Sequence, residues 1–376
     1  VGNGYSKYWV GGLIGCANTV IGRMWSSPDE AHMSDCEFNG NICIRQGSSI
    51  NVGGLIGTSG LDSDKIYINN CSSSGNIEYP SAQSIYGLNA GGILGEVSNK
   101  GFVSNCVSTM NIKICSPTEG ITYCSIGGIN AIGVYDQGTN SMSLNNCAYL
   151  GTISLGDAAN KAKINSGLAV GGIGYVGRKK TCVHGSAFYG KFDIHATVAD
   201  PDKNSVYIAP ISKYTFVGYG YKQNVVYSVG NIIDVDAKNL YVDQVSNFSI
   251  DDTKHKDYYH FETIDGKSIE CKHSANPSLY AKTLDELKAD GFINKLNEDA
   301  GSNMWGKLTG MSDKSLNGLP IPVACGGILS DYTGDGMSES SAYIIKTEDD
   351  LKRLKESVSN GSTFEGKYFK LGSDIR

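Results

Sequence analysis

The sequence predicts a mainly β chain wound as a repeat solenoid, with a small α/β appendage towards its C-terminal end. Three observations carry that expectation. The phrase Val10-Gly-Gly-Leu-Ile-Gly15 returns as Val52-Gly-Gly-Leu-Ile-Gly57 and Ala90-Gly-Gly-Ile-Leu-Gly95, then in worn form as Ile126-Gly-Gly-Ile-Asn-Ala131 and Val170-Gly-Gly-Ile-Gly-Tyr175. A second phrase keeps its own register between the copies: Asp35-Cys36-x-x-x-Gly40-Asn41-Ile42, Asn70-Cys71-x-x-x-Gly75-Asn76-Ile77, Asn105-Cys106-x-x-x-Met110-Asn111-Ile112 and Asn146-Cys147-x-x-x-Gly151-Thr152-Ile153. Around them stand short β-branched runs such as Ile66-Tyr-Ile68, broken by Gly, Asn and Ser, with no helical period, so the elements are strands and turns.

Residues 1–235 form the repeat region. The leading glycines Gly11, Gly53, Gly91, Gly127 and Gly171 step by 42, 38, 36 and 44 residues, the range of a stacked supersecondary unit. Each inward residue then needs its like above and below. That requirement predicts one column of Leu13, Leu55, Ile93, Ile129 and Ile173. It predicts a second of Ile42, Ile77, Ile112, Ile153, Phe192 and Ile232, and a third of Met33, Ile68, Val103, Leu144 and Val183. The last two copies of the second phrase are degenerate, Ser186-x-x-x-Gly190 and Val226-x-x-x-Gly230. Glycine pairs serve sharp turns or close coil contacts. Asn70, Asn105 and Asn146 are expected at corners with left-handed backbone, where Asn is tolerated and stacked side chains can bond along the axis.

Eleven cysteines are present, and Cys36, Cys71, Cys106 and Cys147 share one column. Stacked coils lie about 4.8 Å apart, closer than the roughly 5.5–6 Å that disulfides prefer, so a reduced, buried thiol ladder is expected. Segment 236–325 is more polar and tyrosine-bearing, and is expected to cap the solenoid with one helix. That helix opens at Thr283-Leu-Asp-Glu286, a capping box, and buries Leu284, Leu287, Ile293 and Leu296 although Gly291 interrupts it. Trp305 and Gly318-Leu-Pro-Ile-Pro322 close the unit. Over 326–376 a second helix begins at Thr347, buries Leu351, Leu354 and Val358, and stops at Asn360-Gly361 before a turn and strand at 364–371.

Composition narrows the function. Glycine is 48 of 376 residues and proline only 8, which suits tight turns better than disorder. A formal net charge of −6 argues against nucleic acid and anionic membranes as partners. No run of about 18 apolar residues is present to span a bilayer. The start at Val1, without a signal-like segment or initiator Met, leads us to expect a processed protein or a fragment.

No catalytic, metal or cofactor motif stands out. Asp62, Asp64, Glu119, Asp136 and Asp157 fall in connectors and not in a repeated column, which reads as solvated loop charge. Carbohydrate-cleaving β-helices instead need paired carboxylates. Asp331-x-x-x-Asp335-Gly336-x-x-Glu339 lacks the ligand alternation of a calcium loop and reads as a polar turn. His255 and His260 lie in a polar stretch and are expected at the surface. The weak ligand-binding candidates are Tyr214, Phe216, Tyr219 and Tyr221, which alternate with Gly218 and Gly220. Exposed, they would stack on sugar rings or a partner's apolar surface. The simpler reading has alternate members filling a coil.

The glycine phrase followed by the Asn-Cys phrase, complete at 53–57 with 70–77 and at 91–95 with 105–112, resembles the GLUG-motif repeat proteins. The Thr-Leu-Asp-Glu-Leu-Lys helix with Trp305 after it resembles the segment that comes after such repeats, and residues 326–376 resemble the opening of a further module. The resemblance implies a right-handed parallel β-helix in a secreted or surface-anchored bacterial protein, adhesin-like, of the kind found in gut Bacteroidetes. It supplies no catalytic residues. The expected function is therefore a non-catalytic adhesin-like module binding a host protein or glycan through loops on a rigid solenoid. The alternative is a passive spacer beside a peptidase or other enzyme domain, with a polysaccharide-degrading enzyme third. The order of the segments also allows head-to-tail self-association through an uncapped end.

Overall fold

The structure, a computed structural model, describes residues 7–16, 30–45, 47–59, 65–80, 85–97, 100–115, 120–132, 141–174, 181–200, 204–212, 225–226, 228, 230–237, 239–242, 259–264, 267–272, 284–300, 304–308, 314–325, 338–345, 351, 354–355, 358 and 364–372. The repeats are turns of a parallel β-solenoid. In one turn the chain runs through a first strand Lys65–Asn69, a corner at Asn70, a second strand Ser72–Tyr79, a third strand Ile85–Gly91 and a short fourth strand Leu94–Glu96. Each strand pairs in parallel with its counterparts in the adjoining turns.

Register is what turns the repeated letters into a core. Ile42, Ile77, Ile112, Ile153 and Phe192 are aligned Cα partners across successive turns. Met33, Ile68, Val103, Leu144 and Val183 do the same on the first-strand sheet. On the third strands the file is Val10, Val52, Ala90, Ile126, Val170 and Ile208. Together they form one apolar core along the axis. A fully buried aliphatic side chain contributes about 1.5–3 kcal/mol, and side chains above and below complete its contacts. The second glycine of each pair has a steric reason. A Cβ on Gly54, Gly92, Gly128 or Gly172 would lie 1.9–2.0 Å from the carbonyl oxygen of the next turn.

The corners are left-handed, as the Asn-Cys phrase implied. Asn70, Asn105 and Asn146 have φ of 54°, 55° and 51°, joined by Asp35 and Gly185 at 54° each. Their amides bond along the axis: Asn70 Nδ2 donates to Asp35 Oδ1 (3.1 Å), Asn105 Nδ2 to Asn70 Oδ1 (3.2 Å) and Asn146 Nδ2 to Asn105 Oδ1 (3.4 Å). Immediately inside, Cys71, Cys106 and Cys147 are fully buried. Each thiol donates to the carbonyl two residues earlier, at 3.1–3.3 Å. The nine cysteines whose side chains are described are all free thiols.

Several expectations need correction. The solenoid passes 235, because Asn239–Val242 pairs in parallel with Ser205–Ile208. In the same turn the register departs from the expected columns, by two residues at Val226 and by one at Ile232. Val226 sits beside Phe188 and not in the cysteine column, and Asp193 pairs with Ile232, so Asn231 replaces Ile232 next to Phe192. The Asn231 side chain accepts the Phe192 N–H at 2.8 Å, which fills the gap that the extra residue opens, and Ile232 is left exposed. Leu13 of the first column is also exposed.

Part of the segment expected to cap the solenoid lies against its flank. An antiparallel hairpin, Tyr259–Ile264 with Lys267–Lys272, lies beside Asn239–Val242. The described residues of 284–325 lie along the flank. There are two short helices, α1 (Leu284–Lys288) and α2 (Asp290–Ala300); the break falls at Ala289, and Gly291 sits inside α2. Leu287, Ile293, Leu296, Trp305, Leu319 and Ile321 cover an outward column of Val107, Ala148, Ala187 and Val225. Those four residues align on successive second strands. Asn297 holds Trp305 by two backbone bonds of 2.7 and 2.9 Å. Tyr189 Oη donates to the Pro320 carbonyl at 2.9 Å. The Cys325 thiol donates to the carbonyls of Asn105 (3.1 Å) and Cys71 (3.2 Å), so this strap ties to two corners at once.

Nearer the C-terminus, Tyr343–Ile345 pairs in parallel with Phe369–Leu371. Leu354 packs against this pair, whereas Leu351 and Val358, expected to be buried, are 40% and 55% exposed. Among the described residues no helix is long and apolar enough to cross a membrane.

Candidate functional site

The candidates Tyr214, Phe216, Tyr219 and Tyr221 lie outside the described residues, as do Asp62, Asp64, Glu119, Asp136, Asp331, Asp335 and His255. Of the connector acids, Asp157 is described. Its Oδ1 accepts the N–H groups of Asn160 (2.7 Å) and Ala159 (2.8 Å) in a tight turn, and these bonds hold its carboxyl below the usual range. It is a turn-former. Three constellations that sequence reading did not single out are built on the outer faces.

The first is a ring stack on the first-strand sheet. His32, Tyr67 and Phe102 are aligned partners in adjoining turns, with centroids 4.7 and 4.8 Å apart and planes within 10° of parallel. Solenoid spacing forces this geometry, since in-register rings can only lie face to face along the axis. Beside them Lys65 Nζ meets Glu30 Oε1 at 2.5 Å; the ammonium lowers the carboxyl's pKa and the carboxylate raises the lysine's. Tyr67 is covered on both faces by its neighbours, so the middle of the stack presents only ring edges.

The second is an ionic network on the last turns. His195, about nine-tenths buried, lies between two carboxylates: Nε2 is 3.3 Å from Asp193 Oδ1 and Nδ1 is 3.3 Å from Asp234 Oδ2. Lys161 Nζ reaches Asp234 Oδ1 at 2.8 Å and Asp236 Oδ2 at 3.0 Å. Burial pulls the lysine's pKa down, but the two aspartates outweigh it and leave it raised. Three carboxylates gather here, the arrangement a polysaccharide-cleaving enzyme would require. Each is already engaged by Lys161 or His195, which describes a clasp between turns. Among the described residues no group of three or more His, Cys, Asp or Glu could hold a metal ion.

The third is an exposed tyrosine pair on the third strands. Tyr86 and Tyr123 are 49% and 54% exposed and meet edge to face, with centroids 5.8 Å apart and planes at 80°. Both point outward because Ile85 and Leu88, and likewise Ile121 and Cys124, take the inward positions three apart, leaving two successive residues outside. Tyr123 is flanked in its own ladder by Gly87 and Gly167. Two positions farther along these strands, half-buried Asn89 and Ser125 are aligned with each other and with buried Asn51, and Asn89 Nδ2 donates to Asn51 Oδ1 at 2.8 Å. The side-chain amide of Asn51 donates in turn to Glu96 Oε2. An aromatic wall beside oriented amides can bind uncharged, partly apolar ligands. Such residues are legible only once register places them, because nothing in the sequence marks Tyr86 and Tyr123 as neighbours. Compared with known proteins, this chain matches no family profile, no curated protein and no solved structure.

Proposed function

We propose that this chain is a non-catalytic, adhesin-like module whose rigid β-solenoid presents a binding surface to a host protein or glycan. The observation that carries the reading is the exposed Tyr86–Tyr123 pair on a sheet fixed by ladders on both sides. Large aromatic side chains kept in solvent on an immobile backbone lose little entropy when a partner covers them, which suits recognition. The engagement of Asp193, Asp234 and Asp236 by Lys161 and His195 favours binding over hydrolysis. Export to a bacterial surface rests on the resemblance to GLUG repeats alone. A passive spacer beside an enzyme domain is the second reading, and the self-covered His32–Tyr67–Phe102 stack favours it.

The test is a screen of the purified, folded chain against a glycan array and immobilised extracellular-matrix proteins. Specific, saturable binding to one class of ligand is the expected result. No binding to either, by protein with an intact β-rich circular-dichroism spectrum, would leave the spacer reading standing.

A further inference from the structure

The two outward aromatic features differ in one respect that decides what each can do. In the His32–Tyr67–Phe102 stack the rings cover one another. Around Tyr123 the aligned positions are glycines. A Cβ added to Gly87 would meet only Ser49 Oγ, at 3.7 Å, and one added to Gly167 only the Ser205 carbonyl oxygen, at 3.9 Å. Neither glycine has a left-handed backbone, and neither is needed for close coil contact. Both could carry side chains, yet the floor on either side of Tyr123 is open. A tyrosine gains no burial from such neighbours, so the fold does not account for an aromatic residue there.

We infer that Tyr86, Tyr123 and the open glycine floor form a platform for one pyranose unit of a neutral oligosaccharide. This rests on the reading of the chain as a binding module and names its ligand class. The argument is chemical. A pyranose offers a face of C–H groups with partial positive charge, which matches the negative face of an aromatic ring, and a rim of hydroxyls that must both donate and accept. The floor gives such a ring room beside Tyr123, with Tyr86 as a second wall. Asn89 and Ser125 stand two residues farther along the same outer face, about 7 Å away at the rise of a strand. They supply amide and hydroxyl groups for the rim, and the bond from Asn89 to Asn51 orients the amide beforehand.

Charge selects among sugars. The segments 49–53, 85–91, 121–127 and 205–209 contain no Asp, Glu, Lys or Arg, and 162–171 contains only Lys163, in a chain that is 19% charged. A uronate or sulfated glycan would bury its charge without a counter-ion here, whereas a neutral sugar leaves no charge unanswered.

The experiment is calorimetric titration of the whole chain with β-1,4-linked gluco-, manno- and xylo-hexaoses, with polygalacturonate as the anionic control. At least one neutral hexaose should bind and polygalacturonate should not. Tyr123→Ala should weaken binding about 10-fold or more, as removal of a central aromatic anchor does. Gly87→Thr, which fills the floor with a residue well suited to a strand, should weaken it similarly at unchanged melting temperature. Tyr67→Ala, in the self-covered stack, should leave the affinity unchanged. Hexaose binding that survives both Tyr123→Ala and Gly87→Thr, or binding of polygalacturonate alone, would overturn the inference. Failure of all three hexaoses would overturn it too. Ligands found elsewhere by the array or matrix screen would still sustain the module's function, and silence in every assay would sink both.

Discussion

Replacing Asn105 separates two effects at the left-handed corners, backbone conformation and side-chain bonding. Asn105 holds φ of 55°, its Nδ2 donates to Asn69 Oδ1 at 3.0 Å and Asn70 Oδ1 at 3.2 Å, and its Oδ1 accepts from Asn146 at a longer 3.4 Å. The two shorter bonds are half-buried and contribute about 0.5–1 kcal/mol each. Either substitution loses that, about 1–2 kcal/mol in all. Alanine adds roughly 1–2 kcal/mol because it keeps the Cβ that strains a left-handed backbone but lacks the polar side chain whose local bonding lets Asn sit there. Glycine escapes the strain but adds about 0.5–1 kcal/mol through its freer unfolded chain. Asn105→Ala should therefore cost about 2–4 kcal/mol and Asn105→Gly about 1.5–3 kcal/mol, and in the same host glycine should be the milder change. Gly185, at the equivalent corner with φ of 54°, shows that the position accepts glycine. Urea unfolding followed by far-ultraviolet circular dichroism measures both. If Asn105→Gly proved more damaging than Asn105→Ala, the left-handed backbone would not be what selects Asn here.

Other consequences arise from equally local geometry. Gly92→Ala places a Cβ 2.0 Å from the Gly128 carbonyl oxygen and should abolish soluble expression, while Gly87→Ala, with nothing nearer than 3.7 Å, should melt like the parent. Cys124 is fully buried and its thiol is pushed up to about 12. In a timed reaction with a thiol reagent at pH 8 it should stay silent, together with Cys71, Cys106 and Cys147, until denaturant is added, whereas exposed Cys43 reacts at once. Asp157 has a depressed pKa, so its turn contributes fully above the unfolded value of about 3.9 and loses that contribution as pH falls through the folded value. Asp157→Ala should flatten the acid side of a stability-versus-pH curve between about pH 2 and 5, and an unchanged slope would refute this. Tyr189→Phe leaves the buried Pro320 carbonyl without its donor, at a cost of about 1–3 kcal/mol. It should make residues 284–325 the first part of the chain cut in limited proteolysis.

The inward columns were legible because identical neighbours impose a visible rule. Cys36, Cys71 and Cys106 recur at one interval, and so do Ile42, Ile77 and Ile112, since each must fit the residue above it. That rule fails where one extra residue is absorbed by a bond and not by packing, which is why Asn231 beside Phe192 could not be anticipated. The flank was hidden for a different reason. Glu37, Ser72, Val107, Ala148, Ala187 and Val225 change along one outward column from polar to apolar as the strap begins to cover them. Taken turn by turn, each looks like an ordinary surface substitution. Tyr86 and Tyr123 escaped notice because a search for repeated columns discards positions that do not repeat, and recognition residues are of that kind.

The corner phrase also makes copy number a natural variable of this architecture. Asn70-Cys71 and Asn105-Cys106 are the same dipeptide, 35 residues apart, with φ of 54° and 55° at the asparagines. Excising residues 71–105 would join Asn70 to Cys106 at a junction of unaltered sequence and backbone geometry. Duplicating the same block would insert a turn with every rung still matched. Edits at these junctions would shorten or lengthen the solenoid one turn at a time. The strap that ends at Cys325, tied to the carbonyls of Cys71 and Asn105 on two successive corners, sets where along the rod such an edit would be noticed.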